Sequence, residues 1–449
     1  MKSFAVLSAL AALAVASPTR TLEEPPTKRS KLPTVSVSGN AFYAGGQRWY
    51  MRGIDYQPGG AAANIDPLAD TEICLRDIKE FKDLGINTIR VYAVDNSADH
   101  DKCMTALEDA GIYLVLDVNN PNYSINRADP HISYNAKYLQ SVFATVEVFA
   151  KYDNVAAFFS GNEVINDEPD TDKAAPYVKA VTRDMKNYMN SRGLRKVPVG
   201  YSAADVSTNR QQTADYFNCG SDDMRSDFFA FNDYSWCNSN FKTAGWDQKV
   251  KNFTDYGLPI FLSEYGCIKN RPREFEELGA LMDEKMTSVY SGGLMYEYSL
   301  EDNDYGIVKI KGGQVKHQDE FKLFKEALEK YPTPTGNGGA SKETHGVDCP
   351  PKDPSWQIDT EEIPEMPKEA QKYMKSGAGD GPGFKGGSQQ AGDSGTATAS
   401  VSEGESSPTA NAEQTEDGED AGVSLSVGMG PMLVTGATIF SALFGAILL

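Results

Sequence analysis

Short apolar runs rich in Val, Ile, Phe and Tyr recur along the middle of the chain: "RWYMRGIDY", "NTIRVYAVD", "YLVLDVN", "VAAFFSGNEV", "VPVGYSAAD", "FFAFNDYSW", "PIFLSEYG" and "GGLMYEYS". Runs of this length and composition read as buried strands. Between them lie stretches whose apolar residues return at helical spacing, among them "DTEICLRDIKEFKDLG", "YNAKYLQSVFATVEVFAKY" and "DKAAPYVKAVTRDMKNYMNSRG". Strands alternating with helices imply parallel pairing. Eight such units between about Thr34 and Cys349 predict an α/β fold, a (β/α)8 TIM barrel. An open doubly wound sheet is the alternative, but it usually has fewer strands, and the first unit shows no glycine-rich phosphate loop.

Nearly every run closes on polar residues. The strand ends carry Asp55, Tyr56 and Gln57, then Tyr92 and Asp95, Asp117 and Asn119, Asn162 and Glu163, and Asp205. The last three runs bring Asn232 and Tyr234, Glu264 and Tyr265, and Tyr296, Glu297 and Tyr298. In a barrel these positions share the C-terminal rim, where active sites of this fold lie. A lone Glu after a strand usually begins a loop; a whole rim of polar strand ends argues for a site.

Two carboxylates stand out on that rim, Glu163 after the fourth strand and Glu264 after the seventh. A pair of Glu residues across a sugar lets one protonate the leaving oxygen while the other attacks the anomeric carbon or activates water. Spacing decides which, at about 5–5.5 Å for attack with retention and about 6.5–9.5 Å for inversion, and the sequence leaves that open. Asn162, just before Glu163, is placed to bond a sugar 2-hydroxyl. Tyr92, Tyr234, Tyr296 and Tyr298 offer flat faces for stacking on sugar rings.

Composition narrows the class. The 449 residues carry a formal net charge of -20, the wrong sign for nucleic acid phosphates. Four His without paired ligand spacing point to no metal, and no cofactor motif is evident.

Both ends carry processing signals. "MKSFAVLSALAALAVAS" has the layout of a cleaved secretory signal and is too short for a membrane span, which assigns 1–16 to a signal peptide and 17–33 to a short segment open to trimming at Lys28 and Arg29. "GPMLVTGATIFSALFGAILL" is apolar and lacks flanking basic residues; with the small residues around Asp420, Ala421 and Gly422 it reads as a GPI-anchor signal over 423–449, a transmembrane helix being the alternative. Composition shifts near Pro350, which bounds the barrel domain at 34–350. Residues 351–422 form an extension and, from about Lys375, a Ser/Thr/Gly/Glu-rich stalk too poor in aliphatics to order itself. Sequons stand at Asn122 and Asn252. Six cysteines in a secreted chain imply three disulfides, with fifteen possible connectivities.

Taken together, "RGIDYQPGG", "VYAVD", "SGNEV", "FNDYSWC", "SEYGC" and "MYEYS" resemble the fungal cell-wall β-1,3-glucanosyltransferases of glycoside hydrolase family 72, over almost the whole chain before the stalk. The resemblance implies Glu163 as acid/base and Glu264 as nucleophile, cleaving an internal β-1,3-glucan bond with retention and passing the glucanosyl chain to the non-reducing end of a second glucan. It implies donor subsites at Tyr92, Asn162, Tyr296 and the loop "NNPNYSINR" (Asn119, Asn120, Asn122, Tyr123, Arg127), and an acceptor side at Asp205 and Arg210. Gln57 and Tyr234 are further cleft candidates. It also implies disulfides Cys74–Cys103, Cys219–Cys349 and Cys237–Cys267. Without a cysteine beyond Cys349, the chain resembles the subgroup lacking a cysteine-rich carbohydrate-binding module. The expected protein is a monomeric, GPI-anchored enzyme at the plasma membrane or passed to the wall. A hydrolytic endo-glucanase and a non-catalytic wall-binding protein are the alternatives.

Overall fold

The computed structural model describes residues 32–358 and 363–389. The expected signal peptide, the expected anchor signal and the remainder of the expected stalk lie outside the described residues. Eight parallel strands close a barrel: Met51–Asp55, Thr88–Val91, Tyr113–Asp117, Val155–Asn162, Val199–Ala204, Phe228–Asn232, Ile260–Tyr265 and Tyr290–Met295, the eighth pairing with the first. Because both strand faces are enclosed, each run is apolar almost throughout, as parallel barrels require.

Alternation along the strands sorts the two faces. Leu114, Leu116 and Phe158 pack outward into the cluster shared with the helices, whereas Val115, Ala157, Phe159, Phe228 and Phe261 fill the barrel's lower interior. Phe42 closes that end from below, 5.7 Å from Phe228 and 5.9 Å from Phe261 between ring centroids. It belongs to an antiparallel sheet of Val35–Ser38, Ala41–Ala44 and Gln47–Trp49. Its second turn is Gly45–Gly46, both at positive φ (59° and 78°), the backbone a tight two-residue hairpin demands. The run "RWYMRGIDY" is thus two strands rather than one: Gln47–Trp49 serves the basal sheet and the barrel strand begins at Met51.

The helices begin and end where capping chemistry allows. Asp70 accepts from the amides of Glu72 and Ile73 to start Thr71–Leu84, and Gly85 ends it in the left-handed region. Asn135 caps Ala136–Ala150 in the same way, and Gly193 terminates Ala175–Arg192. The disulfides are Cys74–Cys103, Cys219–Cys349 and Cys237–Cys267.

Packed chain continues well past the composition shift near Pro350, through the start of the expected stalk at Lys375 and on to Gln389. Ala370, Tyr373 and Ala378 are buried. The Ala378 amide donates to Tyr188 (2.8 Å), the Gly383 amide to Asn96 (2.9 Å), and Gln389 Nε2 to the carbonyl of Ser124 (2.7 Å). This segment has few aliphatics of its own and is ordered by barrel side chains that satisfy its backbone, a route that composition alone does not reveal.

Candidate active site

Glu264 faces the barrel interior because the seventh strand breaks its alternation. Ser263 already points inward, bonding Ser202 and Asn232, and a register shift against the sixth strand between Leu262 and Glu264 turns the next side chain inward too. Three donors meet its carboxylate. Tyr92 Oη donates to Oε1 at 2.8 Å, Arg90 Nη1 to the same oxygen at 3.2 Å, and Tyr234 Oη to Oε2 at 2.6 Å.

The fourth strand uses the same device. Its register shifts between Phe159 and Gly161, the Ser160 hydroxyl bonds the outer helix at Thr182 (2.8 Å), and Asn162 turns inward. Asn162 Oδ1 accepts from Ser202 Oγ (2.7 Å), Arg90 Nη2 (2.9 Å) and Asn232 Nδ2 (3.2 Å). Glu163 then leaves the strand at φ 48°, an uncommon setting for a non-glycine residue and one met at functional sites. Its carbonyl accepts from Arg127 Nη2 (2.7 Å), and its carboxylate Oε1 accepts from Asn232 Nδ2 (2.7 Å). Asn232 and Arg90 therefore join the two glutamates into one network.

Burial pushes both carboxylates above their ordinary range. Glu264 is pushed up to about 7, burial first and the neighbouring Glu163 adding to it, against the opposing pull of Arg90, Tyr234 and Tyr92. Glu163 is also raised by burial, opposed by the Asn232 amide and by Arg90. Taken alone, Glu264 would be about half charged near neutrality; the hydrogen bonds decide where a single shared proton sits. Glu264 has two hydroxyls and a guanidinium arranged for an anion, Glu163 a single amide, so the proton belongs on Glu163.

Arg90 was not singled out in the sequence, although a lone Arg inside an apolar strand run is itself a signal, because an enclosed charge needs paired partners. It is fully buried, grips Asp117 through Nε (2.9 Å) and Nη2 (3.2 Å), and lies 4.2 Å from the Tyr92 ring centroid. Asp55 and Glu297 complete the floor. Neither Asp55 oxygen meets a donor among the described residues, and burial raises its pKa well above normal. Glu297 is pushed up to about 8, chiefly by burial. Tyr305 is a further residue the sequence reading missed; with Tyr234 and Tyr296 it forms an aromatic wall, at 5.5 and 5.2 Å between centroids.

An open cleft runs from Tyr92 over Asp117 and Asn162 to Asn119, Asn120, Pro121, Ser124, Ile125 and Arg127. Other candidates sit elsewhere. Tyr123 is fully buried with its hydroxyl toward the carbonyl of Gly386, and Asn122 receives the Gln389 amide. Gln57 is buried, spanning the amides of Tyr92 and Ala93 and the carbonyl of Ile65, so it holds two loops together and offers nothing to a cleft. Tyr56 and Tyr298 both donate outward to Asp77, and Tyr265 packs in the outer core, as alternation dictates for residues next to inward-facing ones. Asp205 has both oxygens engaged, by Arg210 Nε and by Lys249 Nζ.

A closed parallel barrel with a buried and a half-buried glutamate linked at its C-terminal rim, beside an aromatic wall, is the architecture of an enzyme acting in a cleft. Comparison with known proteins sharpens this. A family profile described as "Glucanosyltransferase", glycoside hydrolase family 72, matches residues 25–332. The chain is 59% identical to a 1,3-beta-glucanosyltransferase of Aspergillus fumigatus over 86% of its own length and 85% of the relative's. It is 52% identical to one of Candida albicans, covering 77% of each chain. The fold is similar to that of a Saccharomyces cerevisiae Gas2p mutant in complex with laminaritetraose and laminaripentaose, with TM-score 0.70 and 38% identity over 76% of each chain. The chain belongs to the glucanosyltransferases of glycoside hydrolase family 72, and it is an enzyme.

Proposed function

We propose that this glucanosyltransferase elongates β-1,3-glucan with retention, using Glu264 as nucleophile and Glu163 as acid/base. The observation that carries the assignment is the asymmetry between the two glutamates: three donors hold Glu264, including one cation, and one amide holds Glu163. The relatives' activity as 1,3-beta-glucanosyltransferases and the laminari-oligosaccharides bound to the similar structure supply the substrate class.

In the first step a Glu264 oxygen attacks the anomeric carbon, the glycosidic bond breaks, and the Glu163 proton passes to the departing 3-oxygen. A glucanosyl ester of Glu264 remains, and the reducing-end fragment leaves. In the second step the 3-hydroxyl of a second chain's non-reducing end attacks that carbon, its proton goes to Glu163, and Glu264 is released as carboxylate. Asn162 supports both steps: its Oδ1 is taken by three donors, and its Nδ2, without a partner among the described residues, is available to a sugar 2-hydroxyl. Tyr92, Tyr296, Asn119, Asn120 and Arg127 flank the donor. The Asp205–Arg210 pair shapes the acceptor side without a free carboxylate oxygen.

The outer architecture belongs to the same proposal: secretion, a GPI anchor, and residence at the plasma membrane or in the wall as a monomer. Incubation with a reduced β-1,3-gluco-oligosaccharide, followed by mass spectrometry, tests the activity. Products longer than the substrate, absent in Glu163→Gln and Glu264→Gln, are expected; shorter products alone would make the protein a hydrolase.

A further inference from the structure

The segment Asn232–Tyr234 holds both glutamates. Asn232 Nδ2 donates to Glu163 at 2.7 Å and Tyr234 Oη to Glu264 at 2.6 Å, and the residue between them, Asp233, points away from the cleft. Asn232 ends the sixth strand, while Asp233 and Tyr234 already belong to the loop after it, where the Asp233 amide bonds the Glu264 carbonyl (2.8 Å) and the side chains need a further anchor.

Its anchor is Lys249, on the helix Trp246–Phe253. Lys249 is only 7% exposed, and its ammonium lies 2.5 Å from Asp233 Oδ2, 2.6 Å from Asp205 Oδ2 and 3.2 Å from Ser235 Oγ. The other Asp205 oxygen takes Arg210, and the other Asp233 oxygen accepts from the amide and hydroxyl of Ser235. One helix turn earlier, Trp246 Nε1 also donates to Ser235 Oγ at 3.2 Å. Two carboxylates and a hydroxyl thus converge on one enclosed cation, a geometry in which the partners are costly to separate. The position is not one a surface ion pair would choose. Lys249 lies two elements away from the reacting atoms and touches none of them.

We propose that Lys249 is a positioning residue: by tying Asp233, after the sixth strand, to Asp205, after the fifth, it fixes Asn232 and Tyr234 against the two glutamates. This rests on the reading of Glu163 and Glu264 as the reacting pair, and it extends that reading to a residue outside the cleft. The physical reason is register. A shift of the tripeptide by about 1 Å would misplace both donors at once, and misplacements of that size cost on the order of 10²-fold in rate.

The test compares the full secreted protein with Lys249→Met, Lys249→Arg and Asp233→Asn, reading kcat and KM on a reduced β-1,3-gluco-oligosaccharide together with melting temperature. We expect Lys249→Met to lose about 10²-fold in kcat with donor KM little changed, Asp233→Asn to fall in the same direction, and Lys249→Arg to recover most of the rate. The acid limb of the Lys249→Met profile should rise as Tyr234 withdraws from Glu264. A Lys249→Met or Asp233→Asn protein with lowered melting temperature but unaltered kcat and pH profile would overturn the proposal and leave Lys249 a purely structural ion pair. If Lys249→Met does not fold, Asp233→Asn decides alone. Glu163→Gln and Glu264→Gln are run alongside: if they remain active, the reading of the reacting pair has failed, whereas if they are dead and the Lys249 and Asp233 variants are normal, only this inference has.

Discussion

Arg90 Nη1 lies 3.2 Å from Glu264 Oε1 while its Nη2 lies 2.9 Å from Asn162 Oδ1, so one enclosed guanidinium spans the ends of the fourth and seventh strands. Its other bonds run to Asp117 and to the Ser263 carbonyl (3.3 Å). The five fixed N–H donors of a guanidinium serve these four partners at once; an ammonium, with three donors, cannot. Arg90→Lys should therefore keep the positive charge and the fold yet lose about 10²-fold or more in kcat/KM, measured on a glucan oligosaccharide. Retention of wild-type kcat/KM would show that the charge alone suffices.

The two tyrosines predict a pH effect with a definite sign. Tyr234 and Tyr92 donate to Glu264 and so favour its charged form. Removing a donor destabilises the anion, raises the pKa and moves the acid limb of the rate profile to higher pH. Tyr234→Phe and Tyr92→Phe should each shift that limb upward by about one unit, the worth of one hydrogen bond to a charged group. A limb that moves downward would reverse the assignment of the anion.

Glu297 predicts a stability effect. Burial pushes its pKa up to about 8, with Glu301 and Glu264 adding to the rise and hydrogen bonds from Asn303 and Tyr296 opposing it. The unfolded chain releases this proton near pH 4.3 or so, whereas the folded state keeps it until about pH 8. Its contribution is thus fully present at low pH and is lost as pH rises through that window. Glu297→Gln, which is neutral throughout, should narrow the fall in melting temperature between pH 5 and pH 8. An unchanged fall would show that Glu297 does not carry it.

The segment 363–389 predicts a coupling between the extension and the cleft. Gln389 bonds Ser124 and Ser133, and Tyr123 reaches Gly386, all next to residues that line the cleft. A protein ending after Ile358 should melt several degrees lower, about 5 °C, and bind long donors more weakly with kcat little affected. Equal KM for both lengths of chain would limit the extension to a stabilising role.

Much of this was legible in the sequence, for physical reasons. All eight barrel strands were evident because parallel strands enclosed on both faces are written as unbroken apolar runs, and Asp70 and Gly85 marked one helix at both ends. Glu163 and Glu264 were visible because a carboxylate closing such a run is conspicuous. What failed to show was side-chain direction. Two register shifts set Asn162 and Glu264 inward, while unbroken alternation sends Tyr56 and Tyr298 outward to Asp77, and no composition signal distinguishes these cases. Arg90 and Lys249 were passed over because a cation reads as surface until its carboxylate partners, distant in sequence, are brought beside it.

The most direct test of the central claim traps the intermediate. Glu163→Gln incubated with a β-laminarioside of an activated phenol, whose departure needs no acid, should form the glucanosyl enzyme and release it slowly for want of a base. Peptide mapping by mass spectrometry should then find the added sugar mass on Glu264. Turnover with no adduct, or an adduct on any other residue, would contradict the account.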